Sequence, residues 1–160
     1  FSIPLEVSHV TQSLEKAGFE AFLVGGCVRD LIIGREPKDW DVTTNATPEQ
    51  IIAIFPHTFY ENDFGTVGVV TEEEENSCQG STLNTIPKVE PLEYKENLKV
   101  IEVTPYRLES EYSDNRHPDT VTFSQKIEDD LQRRDFTMNA LAYSPSQNKT
   151  IDLYEGEKDI

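Results

Sequence analysis

Apolar spacing and helix-start signals predict helices in two parts of the chain. In the first part, apolar residues lie three or four residues apart and predict an amphipathic helix over residues 7–17, which ends before Gly18. The apolar positions of that helix are Val7, Val10, Leu14 and Ala17. In the second part, Thr47 and Gln50 have the spacing of a capping box and Pro48 suits the first helical position. A second helix is therefore predicted to run from Pro48 to Phe55.

Short apolar runs and alternating runs predict the strands of a sheet. These runs span residues 21–24, 39–43, 57–60, 66–70, 99–106 and 150–153. The third and fourth runs are close enough along the chain to form a hairpin. Strands that alternate with helices and hairpins are typical of a mixed α/β (α+β) domain with one sheet.

Three other segments complete the predicted organisation. Residues 28–33 have the pattern of a helical turn that ends at Gly34. Residues 127–143 are predicted to be mostly helical, with a break near Asp135. Periodicity is lost over residues 71–97, where Glu, Ser, Thr, Asn and Pro dominate, so we predict a flexible insertion there.

Composition and charge narrow the class of protein. The chain has 160 residues, 36% of them hydrophobic, which is enough for one domain with a small core. No apolar run approaches the roughly 20 residues needed to span a bilayer. Cys27 and Cys78 lack metal-ligand spacing, so a reducing cytoplasm is predicted, with a single disulfide as the alternative. The net charge of −16 argues against a self-sufficient RNA-binding domain, because affinity for phosphates rests on Lys and Arg.

Asp39 and Asp41 form the most informative acidic pair. Residues two apart in a strand point to the same side, so these carboxylates repel each other unless a cation lies between them. Mg²⁺ suits such a pair, since it binds a few carboxylates together with water and substrate phosphates. Glu102 interrupts an apolar strand and is a candidate third carboxylate, which would allow two ions. The alternative is that all three are charges on a solvated face.

Gly25 and Gly26 follow an apolar strand and precede a helical turn. Such a turn lets backbone N–H groups approach a phosphate, and Arg29 on the first helical turn could contact a triphosphate. Asp30 is a candidate partner for Arg29. The alternative is an ordinary tight turn.

Arg133 and Arg134 form the densest basic spot in this acidic chain. Arg133 is predicted to pair with Asp129 at i,i+4 spacing in a helix. Arg134 then remains as the candidate clamp for the phosphates of a bound nucleotide.

Three segments resemble motifs of a single family. LVGGCVRD at residues 23–30, with KDWDVTT at residues 38–44, resembles the first motif of the tRNA nucleotidyltransferase/poly(A) polymerase family. DDLQRRDFTMNALA at residues 129–142 resembles the second motif, and IDLYEGEKDI at residues 151–160 resembles the third. The resemblance spans nearly the whole chain.

The resemblance implies a polymerase-β-type nucleotidyltransferase head over residues 1–160, with one mixed sheet flanked by helices. It implies Mg²⁺ on Asp39 and Asp41, with Glu102 as the third acidic position. The nucleotide triphosphate contacts that it implies are Gly25, Gly26, Arg29 and Arg134. The implied reaction is two-metal transfer of CMP or AMP from CTP or ATP to a tRNA 3′-hydroxyl. The alternatives are a poly(A) polymerase, an enzyme that adds only A or only CC, and an inactive nucleotide- or Mg²⁺-binding fragment.

The resemblance also implies what this sequence lacks. In the family, a fourth motif selects the base, and the neck, body and tail regions bind tRNA. Those parts are expected to lie outside residues 1–160, which agrees with the acidic charge of the head.

Overall fold

In a computed structural model of the chain, the described strands form one sheet. The structure describes residues 1–62, 64–72, 98–108 and 122–160. The α-helices are α1 (Leu5–Lys16), α2 (Gly26–Ile32), α3 (Pro48–Ile54) and α4 (Ile127–Gln132). The strands are β1 (Ala21–Val24), β2 (Asp41–Thr44), β3 (Thr58–Tyr60), β4 (Val67–Glu72), β5 (Leu98–Pro105), β6 (Leu141–Ser144) and β7 (Lys149–Asp152). Two 3₁₀ turns, Thr137–Asn139 and Gly156–Asp159, follow α4 and β7.

The strands are ordered β3-β4-β5-β2-β1-β6-β7 across the sheet. β2 and β5 run parallel, and the other neighbouring strands run antiparallel. This mixed sheet confirms the predicted fold class. In the parallel pair, Asp41 stands opposite Glu102. Two of the predicted acidic residues are therefore neighbours across the centre of the sheet.

Apolar side chains leave the sheet on both faces and bury a helix against each. Leu23 and Val42 join one cluster with α1, to which Val7, Val10 and Leu14 contribute. Val24 joins a second cluster with Leu131 of α4. Successive residues of a strand point to opposite faces, so Asp41 and Thr43 lie on the α4 face while Val42 lies on the α1 face. The helices flank the sheet as predicted.

The start of α3 confirms the predicted capping box. The Thr47 hydroxyl accepts a hydrogen bond from the Gln50 amide N–H at 3.3 Å, and Gln50 Oε1 accepts from the Thr47 N–H at 2.9 Å. Pro48 occupies the first helical position, where its missing N–H costs nothing. These two residues fix where the helix begins after β2.

The prediction of a mostly helical segment over residues 127–143 is wrong in its second half. The α-helix ends at Gln132, a 3₁₀ turn follows, and residues Leu141–Ser144 form β6 between β1 and β7. All four residues of β6 are buried, so both of its faces are covered. A short run buried on both faces has no alternation to separate it from a helix.

The predicted second strand begins two residues too early. β2 starts at Asp41, and Asp39 lies in an exposed bend before it. The β1–β2 pairing reaches from Ala21 and Thr44 only as far as Leu23 and Val42, because the chain turns away after Val24. Asp39 therefore has no strand partner to hold it in the sheet.

The predicted insertion falls largely outside the described residues, which do not include residues 73–97. Within the part of the chain that the structure describes, no helix is both long and apolar enough to cross a membrane.

Gly156 allows the two 3₁₀ turns to pack together. A Cβ atom at this position would lie 2.2 Å from the carbonyl oxygen of Thr137 and 2.7 Å from its carbonyl carbon. The Asp152 carboxylate fixes the second turn from the other side, since it accepts hydrogen bonds from the N–H groups of Gly156 at 2.8 Å and Glu157 at 3.1 Å. The Thr137 backbone and the Asp152 carboxylate therefore confine Gly156.

We expect Gly156→Ala to lower the free energy of unfolding by about 3 kcal/mol, because the added methyl group forces one backbone segment to move. Urea unfolding of the purified variant measures this loss. Gly34→Ala is the control, since Gly34 has a φ of +74° but open space around it and should cost only about 1 kcal/mol of backbone strain. A loss for Gly156→Ala no larger than that of the control would contradict the packing explanation.

Candidate metal and nucleotide site

Asp41 and Glu102 form the acidic centre of the site. They are neighbours on β2 and β5, and their side chains lie within hydrogen-bonding reach of each other. Burial raises the pKa of the Asp41 carboxyl above its usual range; the nearby Arg134 guanidinium opposes this shift, and Asp39 adds to it. The fold thus holds Asp41 where its negative charge is poorly solvated.

Burial also raises the pKa of the Glu102 carboxyl, and the negative charges of Asp41, Glu61 and Asp39 raise it further. Glu61 follows β3 at the start of the turn to β4, and its N–H donates to the Thr66 carbonyl at 2.9 Å. Glu61 was not predicted as part of the site. Its sequence surroundings give no signal, because only the β3–β4 turn and the β4–β5 pairing bring it towards Glu102.

Both shifts make the charged site costly to fold. A carboxyl whose pKa is higher in the folded than in the unfolded state destabilises the fold once pH rises through the folded pKa. Glu102→Gln is therefore expected to melt at a higher temperature than the native protein at pH 7 without divalent cations. The difference should shrink as pH falls and vanish below the ordinary glutamate pKa of 4.5, where the carboxyl is protonated in both the folded and the unfolded chain.

Thermal melts of both proteins between pH 4 and pH 8 measure this effect. Glu36→Gln is the control, because Glu36 is an exposed glutamate in the loop before β2 and should melt like the native protein throughout. A Glu102→Gln protein that is less stable than native at pH 7 would show that Glu102 has a stabilising partner.

The acidic centre fits a Mg²⁺ ion completed by its substrate. Within the described ranges, no three His, Cys, Asp or Glu side chains are arranged to hold a metal by themselves. Mg²⁺ characteristically takes one or two carboxylates and fills its other positions with water and phosphate oxygens. The close contact of Asp41 and Glu102 supplies two carboxyls whose repulsion a cation would relieve.

Gly25 lies between the acidic centre and Arg134. Its backbone has φ 77° and ψ −136°, a conformation that side-chain-bearing residues rarely adopt, and its N–H donates to the Leu141 carbonyl at 3.2 Å. A Cβ atom there would lie 3.3 Å from Arg134 Nη1 and 3.9 Å from Asp41 Oδ2. The predicted glycine turn thus lets the arginine and the aspartate approach the same point.

Arg29 is held on the first turns of α2. Its Nε and Nη2 donate to Asp30 Oδ1 at 3.2 and 3.0 Å, and its Nη1 donates to Asn139 Oδ1 at 2.9 Å. Asp30 is therefore the partner that the sequence suggested, and Asn139 ties this arginine to the second motif segment. A Cβ atom on Gly26 would lie 3.5 Å from Arg29 Nη2. Gly26 leaves space in front of the guanidinium.

Arg133 and Arg134 both bind Asp130, and the predicted pairing of Arg133 with Asp129 is wrong. Arg133 donates to Asp130 Oδ1 through Nε at 3.1 Å and Nη2 at 3.0 Å, while Arg134 Nη2 donates to Oδ2 at 3.2 Å. α4 ends at Gln132, so Arg133 turns back over the helix end rather than along it. Asp129 instead accepts from the Ser124 hydroxyl at 2.5 Å.

Asp39 lies at the rim of the acidic centre. Its side chain is exposed, and its charge raises the pKa of both Asp41 and Glu102. Trp40, between the two aspartates, is buried in the α1-side core. The structure thus brings Asp39, Asp41 and Glu102 into one region, with Gly25 and Arg134 beside Asp41, while Gly26 and Arg29 adjoin on α2.

Comparison with known proteins identifies the family. The sequence profile of the poly A polymerase head domain matches residues 21–160. The CCA-adding enzyme of Staphylococcus aureus is 39% identical over 152 residues, 94% of this chain and 32% of that protein. The Bacillus cereus CCA-adding enzyme is 40% identical over 156 residues, 97% of this chain and 33% of its own length.

Solved structures agree with the sequence comparison. The crystal structure of the Bacillus stearothermophilus CCA-adding enzyme in complex with CTP matches with a TM-score of 0.70 and 34% identity, over 96% of this chain and 30% of that one. This chain spans about a third of the length of the curated relatives it matches. The chain belongs to the poly A polymerase head domain family.

Proposed function

We propose that this chain is the catalytic head of a template-independent nucleotidyltransferase that adds CMP and AMP, from CTP and ATP, to the 3′-hydroxyl of tRNA. The observation that carries the proposal is the contact between Asp41 and Glu102, with the Arg134 guanidinium beside Asp41 at Gly25. Two carboxyls on neighbouring strands with a guanidinium beside them suit a metal-bound triphosphate. The names of the relatives supply the substrate class.

The carboxylates Asp39, Asp41 and Glu102 would hold Mg²⁺. When bound, a pair of such ions would favour ionisation of the attacking hydroxyl and neutralise charge on the leaving pyrophosphate. In the reaction, the tRNA 3′-oxygen forms a bond to the α-phosphorus, the bond from that phosphorus to the β-phosphate oxygen breaks, and the hydroxyl proton leaves to solvent. No side-chain general base is required.

The arginines and glycines would bind the triphosphate. Arg134 and Arg29 present guanidinium donors on either side of the glycine turn, and each is held in place by a carboxylate. Guanidinium groups suit phosphate oxygens because they combine charge with several fixed donors. Gly25 and Gly26 carry no side chain that would fill the space in front of these donors.

We propose that tRNA is bound mostly by parts of the protein outside this head. With a net charge of −16, the 160 residues carry too little positive charge to attract an RNA backbone. Selection between CTP and ATP is likewise assigned to parts that the longer relatives carry. We place the reaction in the cytoplasm, in agreement with the buried free thiol of Cys27.

The test incubates the complete protein with Mg²⁺, CTP and ATP and a tRNA transcript that ends before the CCA sequence, and then sequences the RNA 3′ ends. The expected product carries CCA. A transcript with a periodate-oxidised 3′ end is the control and should gain nothing, since it lacks the attacking hydroxyl. A long A tail, or addition of only A or only CC, would overturn the proposed product, and the absence of any addition would overturn the enzymatic proposal.

A further inference from the structure

Asp130 is the most heavily hydrogen-bonded carboxylate among the described residues, and it was not predicted as part of the site. Its side chain is fully buried at the end of α4. Oδ1 accepts hydrogen bonds from Arg133 and from the Arg107 backbone N–H, the latter at 3.3 Å. Oδ2 accepts from Arg134 Nη2 at 3.2 Å and lies 3.3 Å from the Thr43 hydroxyl. One carboxylate thus joins α4, β2 and the chain after β5.

Arg134 depends on this carboxylate for its orientation. Its Nη2 is bound to Asp130, its Nη1 lies next to Gly25, and its buried Nε has no hydrogen-bond partner among the residues that the structure describes. A long side chain held by a single partner loses that orientation when the partner is removed. A second carboxylate, that of Asp41, is close by. A Cβ atom on Gly25 would lie 3.9 Å from Asp41 Oδ2 and 3.3 Å from Arg134 Nη1.

We propose that Asp130 is a positioning residue that holds Arg134 beside the acidic centre and keeps it from pairing with Asp41. Held in this way, the guanidinium stays available to a triphosphate and Asp41 stays available to a cation. Thr43, two residues after Asp41 on the same face of β2, supplies the link between the acidic strand and Asp130. This inference rests on the proposed function, because it assumes that Arg134 binds phosphates.

The test is a double-mutant cycle in the complete protein, with CTP and Mg²⁺ as the probe and no RNA present, so that no reaction occurs. Asp130→Asn is expected to weaken CTP binding at least tenfold by calorimetry. In an Arg134→Ala background, the same Asp130→Asn change is expected to alter CTP binding by less than twofold, because the side chain through which it acts is gone. The KM for CTP should rise while the KM for tRNA stays unchanged.

Asp129→Asn is the matched control, because it makes the same change in the adjacent residue of α4, whose carboxylate binds Ser124 and neither arginine. Its CTP affinity should stay within twofold of native. If Asp130→Asn fails to fold, Thr43→Val removes one neighbour of Oδ2 without a change of charge, and should weaken CTP binding about threefold only when Arg134 is present.

The outcomes separate this inference from the proposed function. Native protein that does not bind CTP would overturn both. Native protein that binds CTP, with an Asp130→Asn or Thr43→Val effect that is absent or equally large without Arg134, would overturn the positioning role alone and leave the proposed function standing.

Discussion

Asp41→Asn is expected to reduce nucleotide incorporation by the complete protein by ~10³-fold or more, which corresponds to about 4 kcal/mol of lost transition-state stabilisation. Asp41 belongs to the acidic centre and lies next to Gly25 and Arg134, so its charge would bind the cation directly. Asparagine has the same shape but no charge. Single-turnover incorporation of labelled CMP into tRNA, at saturating CTP, measures the loss.

The melting temperature of Asp41→Asn distinguishes a loss of catalysis from misfolding. Because burial raises the pKa of Asp41, removal of the charge should leave the melting temperature at pH 7 equal to or above that of the native protein. Asp129→Asn again serves as the control and should incorporate CMP at the native rate. An Asp41→Asn protein that is folded and retains a tenth or more of native activity would exclude Asp41 from the catalytic centre.

The second large effect is expected from Gly25→Ala. The alanine must adopt a backbone conformation with φ 77°, and its methyl group would lie 3.3 Å from Arg134 Nη1. Either the turn or the guanidinium has to shift by a few tenths of an ångström or more. We expect kcat/KM for CTP to fall by ~10²-fold, since small displacements of positioning groups have effects of that size.

The control for Gly25→Ala separates the effect of backbone strain from the effect of the contact with Arg134. Gly34→Ala introduces the same methyl group at φ +74° with open space around it. It should lower stability by about 1 kcal/mol and leave kcat/KM within twofold of native. If both variants lose activity to the same extent, backbone strain alone would explain the loss, and the contact with Arg134 would have no catalytic significance.

The local signals in the sequence were sufficient for most of the fold. The capping residues Thr47 and Gln50 and the apolar spacing from Val7 to Leu14 are local patterns, and the structure has helices at both places. The alternation around Glu102 likewise predicted β5. Such local patterns do not predict the order of the strands in the sheet. The parallel pairing of β2 with β5, which makes Asp41 and Glu102 neighbours, joins residues 61 positions apart.

The errors have a common physical origin in non-local pairing. β6 is a strand because β1 and β7 pair with its two edges while the two apolar clusters cover its faces, and its own apolar residues reveal neither. Asp39 lies outside β2 because β1 ends before it. The sequence shows that Asp130 and Arg134 have i,i+4 spacing. It does not show the deep burial that makes Asp130 a shared partner of two arginines. Motif resemblance named more of the residues that the structure brings together than periodicity did.

The most direct test of the metal site measures the cation itself. Mn²⁺ is titrated into the complete protein with CTP present, and the bound and free ions are distinguished by electron paramagnetic resonance. We predict that the native protein binds Mn²⁺ in competition with Mg²⁺ and that the double variant Asp41→Asn, Glu102→Gln loses this binding while remaining folded. Mn²⁺ binding that is unchanged in the folded double variant would contradict the assignment of the metal to Asp41 and Glu102.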